Sequence, residues 1–196
     1  IPAPEARAGA RTPVLAELSR YYEEARIFAR LVTRRSLESK GAENVICTGG
    51  GPGVMEAGNL GAHEVGGKSI GLGIVLPHEQ APNLYVTPEL CFNFHYFAIR
   101  KMHFLMRARA ITVFPGGFGT LDELFEALTL VQTGKITRFP VVLVDRGFWG
   151  PLVDWIRGTL VERGMISPED PDLVQLVDTA EEAVACVLCS AGRADA

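Results

Sequence analysis

The chain has 196 residues, 47% of them hydrophobic and 21% charged, with a formal net charge of −4. That length and balance suit one α/β domain with a real core. The acidic charge argues against a nucleic-acid surface, which is normally basic, and no apolar run approaches the roughly 20 residues of a membrane span.

Residues 1–12 form an irregular Ala-, Pro- and Arg-rich segment without strand character. From Pro13 to about Lys40, residues Leu15, Leu18, Tyr22, Ala25, Phe28, Ala29 and Val32 recur at helical spacing and predict a long helix that Gly41 ends. Val45 to Thr48 reads as a short buried strand containing Cys47. Gly49-Gly-Gly-Pro-Gly53 follows, then a helix from about Val54 to Val65. Strand, glycine turn and helix together make an anion-binding place. Glycine lets backbone N–H groups approach a ligand, and the first helical turn adds unpaired N–H groups and the positive end of the dipole. Gly50, Gly51 and Gly53 are the candidate contacts. Glu56 either faces the ligand or complements the dipole. The loop is not a triphosphate loop, because no Gly-Lys-Ser/Thr follows it, and the dinucleotide spacing G-x-G-x-x-G is absent.

Ser69 to Val75 reads as the next strand. Pro77 to Pro88 is a polar loop long enough to form a flap over a site. Leu90 to Phe94 is apolar, and a basic helix runs from Tyr96 to about Arg109. Phe97, Phe104, Leu105 and Ala108 supply its inner face, with Arg100 and Lys101 at the edge.

Ala110 to Phe114 is a short apolar run rich in β-branched residues, a strand that stops at Pro115-Gly116-Gly117. A helical pattern from Thr120 places Leu121, Leu124, Phe125 and Leu128 on one face. Gly116, Gly117 and Gly119, with the Thr120 hydroxyl, form a second anion cradle. Asp122 and Glu123 put carboxylates within a turn of it. Acidic residues in a first turn commonly serve only as dipole partners. An anion cradle beside a carboxylate also suits a sugar phosphate held next to a catalytic acid or base. Pro140–Val144 and Leu173–Val177 read as strands, Trp149–Arg163 and Thr179–Ser190 as helices. The alternation predicts an α/β fold, a Rossmann-like doubly wound parallel sheet in three α/β/α layers, with residues 13–196 as a single domain. Both glycine loops then lie at strand carboxyl ends, where ligands of such sheets bind.

Cys47, Cys91, Cys186 and Cys189 are few and scattered, which fits a reducing cytoplasm. Cys186 and Cys189 form a C-x-x-C inside a predicted helix, without a second Cys or His cluster. His63, His78, His95 and His103 lack a second ligand at metal spacing, so no metal and no cofactor is expected.

Three stretches carry a family resemblance. Pro115-Gly-Gly-Phe-Gly-Thr-Leu-Asp-Glu123 resembles the PGGxGTxxE motif of the LOG family, the cytokinin-activating phosphoribohydrolases also labelled possible lysine decarboxylases. Thr48-Gly-Gly-Gly-Pro-Gly-Val-Met-Glu-Ala57 is similar to that family's other glycine loop, and Arg100-Lys101 stands where the family has an Arg-Lys pair. The resemblance runs from about Thr12 to Ala185. The family's first strand would end in Gly-Ser-Ala-Arg, of which Ala8-Gly-Ala-Arg-Thr12 keeps only the tail.

The resemblance implies that Arg100 and Glu123 are the catalytic pair, with substrate contacts at Lys101, Gly117, Gly119, Thr120 and Thr129. It also implies a homodimer. The implied reaction cleaves the N-glycosidic bond of AMP or an N6-modified AMP, a cytokinin riboside monophosphate, to free base and ribose 5-phosphate. Its transition state is oxocarbenium-like, and a carboxylate such as Glu123 stabilises the cation and orients water. Arg100 stays protonated and cannot be an acid, but its fork suits phosphate, hydroxyl or base acceptors. Pyridoxal-dependent decarboxylation needs a Schiff-base lysine. Lys40, Lys68, Lys101 and Lys135 are the only lysines, and none has a recognisable pyridoxal context. The other reading is a nucleotide-binding sensor or carrier without turnover, on the same fold.

Overall fold

The computed structural model describes residues 13–41, 43–75 and 81–191, with side chains described from Ser19 to Leu188. The expected irregular segment 1–12 and part of the expected flap, residues 77–80, lie outside the described residues. Within the span expected to be one domain, the chain forms two compact units, one running to Arg107 and one starting at Ala108.

The first unit contains α1 (Pro13–Glu38), β1 (Ile46–Thr48), α2 (Val54–His63), β2 (Ser69–Ile74), a 3-10 turn (Pro88–Leu90), β3 (Cys91–Phe94) and α3 (Phe97–Met106). Its strands are parallel in the order β1-β2-β3, with Ile46 opposite Ser69 and Gly71 opposite Cys91. Helix α1 buries Tyr21, Tyr22, Ala25, Ala29 and Val32, one stripe at helical spacing. It ends where Lys40 and Gly41 adopt the left-handed conformation, with φ of 61° and 69°. Small residues let α2 lie close to its neighbours. A Cβ at Gly61 would stand 2.2 Å from the Arg26 carbonyl oxygen, and one at Gly58 would stand 3.3 Å from Thr48 Cγ2. Helix α2 is thus wedged between α1 and β1.

The second unit contains β4 (Ile111–Val113), α4 (Phe118–Gln132), β5 (Val141–Val144), α5 (Arg146–Trp155) continuing into a π turn (Ile156–Val161), a 3-10 turn (Asp170–Leu173), β6 (Val174–Val177) and α6 (Ala180–Ala191). Its strands are also parallel, in the order β4-β5-β6. All four residues of the central strand β5 are buried, as expected for a strand covered on both faces. On one face Val113, Val141 and Leu143 pack with Leu124 of α4 and with Trp149 and Val153 of α5. Val142 and Val144 point the other way, and α6, which buries Ala180, Ala183 and Val187, packs on β5 and β6.

The expected parallel α/β architecture is present: two parallel three-stranded sheets flanked by helices. Several local expectations change. The apolar run before α3 is a full strand, β3, paired with β2. Cys47, expected in a buried strand, is exposed. Phe97 and Phe125, expected on inner faces, are 54% and 37% exposed. Helix α5 starts three residues before Trp149, because Asp145 caps it: its Oδ1 accepts hydrogen bonds from Gly147 N–H and Phe148 N–H. No helix among the described residues is long and apolar enough to cross a membrane.

Candidate functional site

The first glycine loop joins β1 to α2. Gly50 and Gly53 have φ of 72° and 74°, so glycine is required there for the chain to turn. Gly49 and Gly51 have a different role. A Cβ at Gly49 would stand 2.7 Å from an Arg100 guanidinium nitrogen and 2.7 Å from Met55 Sδ, and one at Gly51 would stand 2.7 Å from Met55 Cε. The loop is therefore bare where Arg100 and Met55 close on it. Glu56 does lie in the first turn of α2, and the Tyr22 hydroxyl donates to its Oε1 at 2.9 Å. One carboxylate oxygen is thereby tied to α1.

Arg100 is half-buried on α3, and its Nε donates to the Leu72 carbonyl at 2.7 Å within β2. Its guanidinium carbon lies 4.9 Å from the centre of the Phe104 ring. With these contacts in place, Nη2 lies beside Gly49, where a side chain would otherwise stand. Lys101 is half-buried beside it in sequence.

The second glycine loop joins β4 to α4, in the other unit. Helix α4 begins at Phe118, two residues before the start expected from the periodicity. Asp122 and Glu123 therefore lie in its second turn, and no acidic residue occupies the first. The dipole effect fades within one turn, which weakens the dipole-partner account of both carboxylates. Glu123 is i+4 from Gly119 and i+3 from Thr120. At that spacing Glu123 shares a face of α4 with Gly119 and Thr120. It is half-buried, with Oε2 fully buried, while Asp122 is exposed.

The glycines of this loop divide by role. A Cβ at Gly116 would stand 2.1 Å from Thr120 Oγ1, so the threonine folds back over that residue. Gly117 and Gly119 meet nothing within 4 Å of an added Cβ. Gly117 has φ −92° and ψ −154°, an extended backbone any residue adopts, so the turn itself does not require glycine there. What Gly117 and Gly119 keep is open space at a helix N-terminus. Thr129 lies nine residues beyond Thr120, about 14 Å along the helix axis. Its hydroxyl donates to the Phe125 carbonyl, and the residue is exposed. Within this unit it is not brought to the cradle.

A buried polar set behind the first loop went unread in the sequence. Asn59 has no exposed surface. Its Oδ1 accepts from the Thr48 hydroxyl at 2.7 Å and from Asn83 Nδ2 at 2.9 Å, and its Nδ2 donates to Ser69 Oγ at 2.9 Å. Thr48 Oγ1 accepts from Gly50 N–H, and Asn83 bonds to the carbonyls of Gly50 and Gly51. The available signal was polar residues in elements otherwise apolar, since a buried amide must find partners. The described end of the expected flap, residues 83–87, is thus pinned to the loop and to β2. Among the described residues no group of three or more His, Cys, Asp or Glu is placed to hold a metal ion.

A family model described as "Possible lysine decarboxylase" matches residues 55–187. The chain is 30% identical over 144 residues to the Arabidopsis thaliana cytokinin riboside 5'-monophosphate phosphoribohydrolase LOG3, covering 72% of this chain and 65% of that one. It is 39% identical over 86 residues to a Mycobacterium tuberculosis protein named cytokinin riboside 5'-monophosphate phosphoribohydrolase, covering 43% and 45%. It is 40% identical over 72 residues to a Fusarium pseudograminearum bifunctional cytokinin biosynthesis protein, covering 37% and 15%. The chain thus spans less than two thirds of the length of each of these relatives. A solved structure, the X-ray structure of the structural-genomics target TM1055, superposes with a TM-score of 0.61 at 26% identity, covering 88% of this chain and 89% of that one. With well over half of its length inside the matched model, and relatives named cytokinin riboside 5'-monophosphate phosphoribohydrolases, the chain belongs to the LOG family.

Proposed function

We propose that the protein is a nucleoside 5'-monophosphate phosphoribohydrolase acting on AMP or an N6-modified AMP. The observation that carries this reading is Glu123, a half-buried carboxylate in the second turn of α4, on the helix that starts at the open space kept by Gly117 and Gly119. The names of the relatives support the same reaction class.

In the proposed reaction the bond from C1' of the ribose to N9 of the base breaks as positive charge grows on the sugar. Glu123 stabilises that charge and orients a water molecule, whose oxygen bonds to C1' while N9 gains a proton. Ribose 5-phosphate and free base are the products. Gly116, Gly117, Gly119 and Thr120 bind the phosphate at the α4 N-terminus. Arg100, a fixed cation, contributes forked hydrogen bonds to substrate oxygen or nitrogen acceptors, and Lys101 adds a point charge. No pyridoxal step is part of this reading. Lys68 is exposed and bonded to Glu89 at 2.8 Å, unlike a desolvated Schiff-base lysine.

We also infer a homodimer in the cytoplasm. The exposed apolar side chains of α3 support the first, and the free thiols of Cys47 and Cys91 fit the second. The deciding experiment is incubation with AMP and with N6-prenylated AMP, assayed for free base and ribose 5-phosphate. Release of both products supports the reading. Binding of AMP without release would make the protein a sensor or carrier and overturn it.

A further inference from the structure

The first glycine loop is shaped by a residue outside it. Asn59 is fully buried, and its Nδ2 is committed to Ser69, whose own hydroxyl donates to the Tyr85 carbonyl. That commitment fixes the direction of the Asn59 amide, so Oδ1 must face Thr48 and Asn83. Only a donor satisfies Oδ1, so Asn83 presents its NH2 group inward. That group then also reaches the carbonyls of Gly50 at 3.1 Å and Gly51 at 3.0 Å. Asn83 N–H donates to the Gly50 carbonyl as well, at 2.8 Å. On its other side Asn83 Oδ1 accepts from Tyr85 N–H at 3.1 Å, which holds the asparagine in place.

Holding two carbonyls has a consequence for the loop's donors. None of the described peptide bonds is cis, and across a trans peptide the C=O and the following N–H point in opposite directions. With Gly50 C=O turned toward Asn83, the N–H of Gly51 points away from it. Without the Asn83 side chain the Gly51 carbonyl loses this donor and is free to rotate outward, presenting its negative end to the substrate, while the Gly50 carbonyl keeps the backbone N–H of residue 83.

We propose that Asn83 is a positioning residue that keeps the Gly49–Gly53 loop in its substrate-accepting shape; this deepens the nucleotide-cleavage reading and rests on it. Asn83 touches no reacting atom in this proposal. It acts through the loop, so its loss weakens substrate binding more than turnover.

The test uses the full chain with Asn83→Ala and Asn83→Asp. The aspartate keeps the acceptor for Tyr85 N–H and loses every side-chain donor. Hydrogen exchange is read at the amides of residues 49–55 without ligand, and KM and kcat are read with AMP. Both variants should speed exchange in that loop by about tenfold or more, while amides of β5 keep wild-type rates. Both should raise KM by about tenfold or more with kcat within about threefold. Unchanged loop exchange, or faster exchange with unchanged KM, overturns the proposal. Equal acceleration throughout both units also overturns it, since that is plain destabilisation. If the wild type does not cleave AMP, the reaction reading falls by itself. Calorimetry with ribose 5-phosphate then decides the positioning role: weaker binding by both variants upholds it, and equal binding overturns it.

Discussion

At the scale of single residues, Glu123 and Gly117 separate chemistry from binding. Glu123→Gln keeps the shape and removes the charge that would face the growing oxocarbenium ion. Turnover of AMP should fall by about two orders of magnitude or more, while AMP affinity measured by calorimetry stays within a few-fold. Near-normal turnover would show that the carboxylate is structural. Gly117 makes the complementary case. Its extended backbone tolerates a side chain and an added Cβ meets nothing within 4 Å, so Gly117→Val should fold, losing only the small stability difference between glycine and valine at the N-cap of α4. The added side chain would fill the space assigned to the phosphate, so AMP binding should be lost. Wild-type affinity in that variant would remove the cradle from the mechanism. Gly50 is a different kind of glycine, required by its φ of 72° rather than by open space.

At the scale of elements, the sharpest structural prediction concerns the contact of α1 with α2. A methyl group at Gly61 would stand 2.2 Å from the Arg26 carbonyl oxygen and 3.0 Å from the Arg30 amide nitrogen. Neither is the end of a flexible side chain, so the helices must separate. Gly61→Ala should cost about 1–3 kcal/mol despite the better helix propensity of alanine. Urea denaturation monitored by circular dichroism would measure it, and a neutral or stabilising result would refute the close approach. Much of this organisation was legible because it is periodic. The stripe from Tyr22 to Val32, the β-branched run at Ile111 and the two glycine turns each announce their element. What escaped has physical reasons. The α4 start moved because Phe118 and Gly119 carry no helical pattern, yet that shift moved Glu123 out of the first turn. The Asp145 cap hides the start of α5 behind Arg146 and Gly147, residues without apolar character. The Asn59 and Asn83 pairing joins residues 24 apart, and no local pattern encodes it.

At the scale of the whole molecule, the open matter is assembly. The sequence marks α3 as apolar on more than one side, and the structure sorts those sides. Leu105 is buried, while Ile99, Met102 and Met106, at i, i+3 and i+7, are 46%, 59% and 54% exposed. That spacing makes a single stripe along the helix, the pattern of a face that packs against something. Isolated exposed apolar residues need no explanation, but a stripe of three flexible, apolar side chains suits an interface core. A two-fold dimer brings one such stripe against its own copy, because the same patch is used on both sides. Light scattering at micromolar concentration should therefore give about twice the 21.2 kDa of one chain. Met102→Glu places a charge in the centre of the stripe and opposite its own copy, a desolvated like-charge contact that should drive the protein to monomer. The fold should survive, since Met102 contributes little to the core of its own chain. Activity measured on that monomer reports whether the partner chain matters to the reaction. A wild-type mass of one chain with full turnover would refute the dimer, and a Met102→Glu variant that remains dimeric would move the interface away from α3.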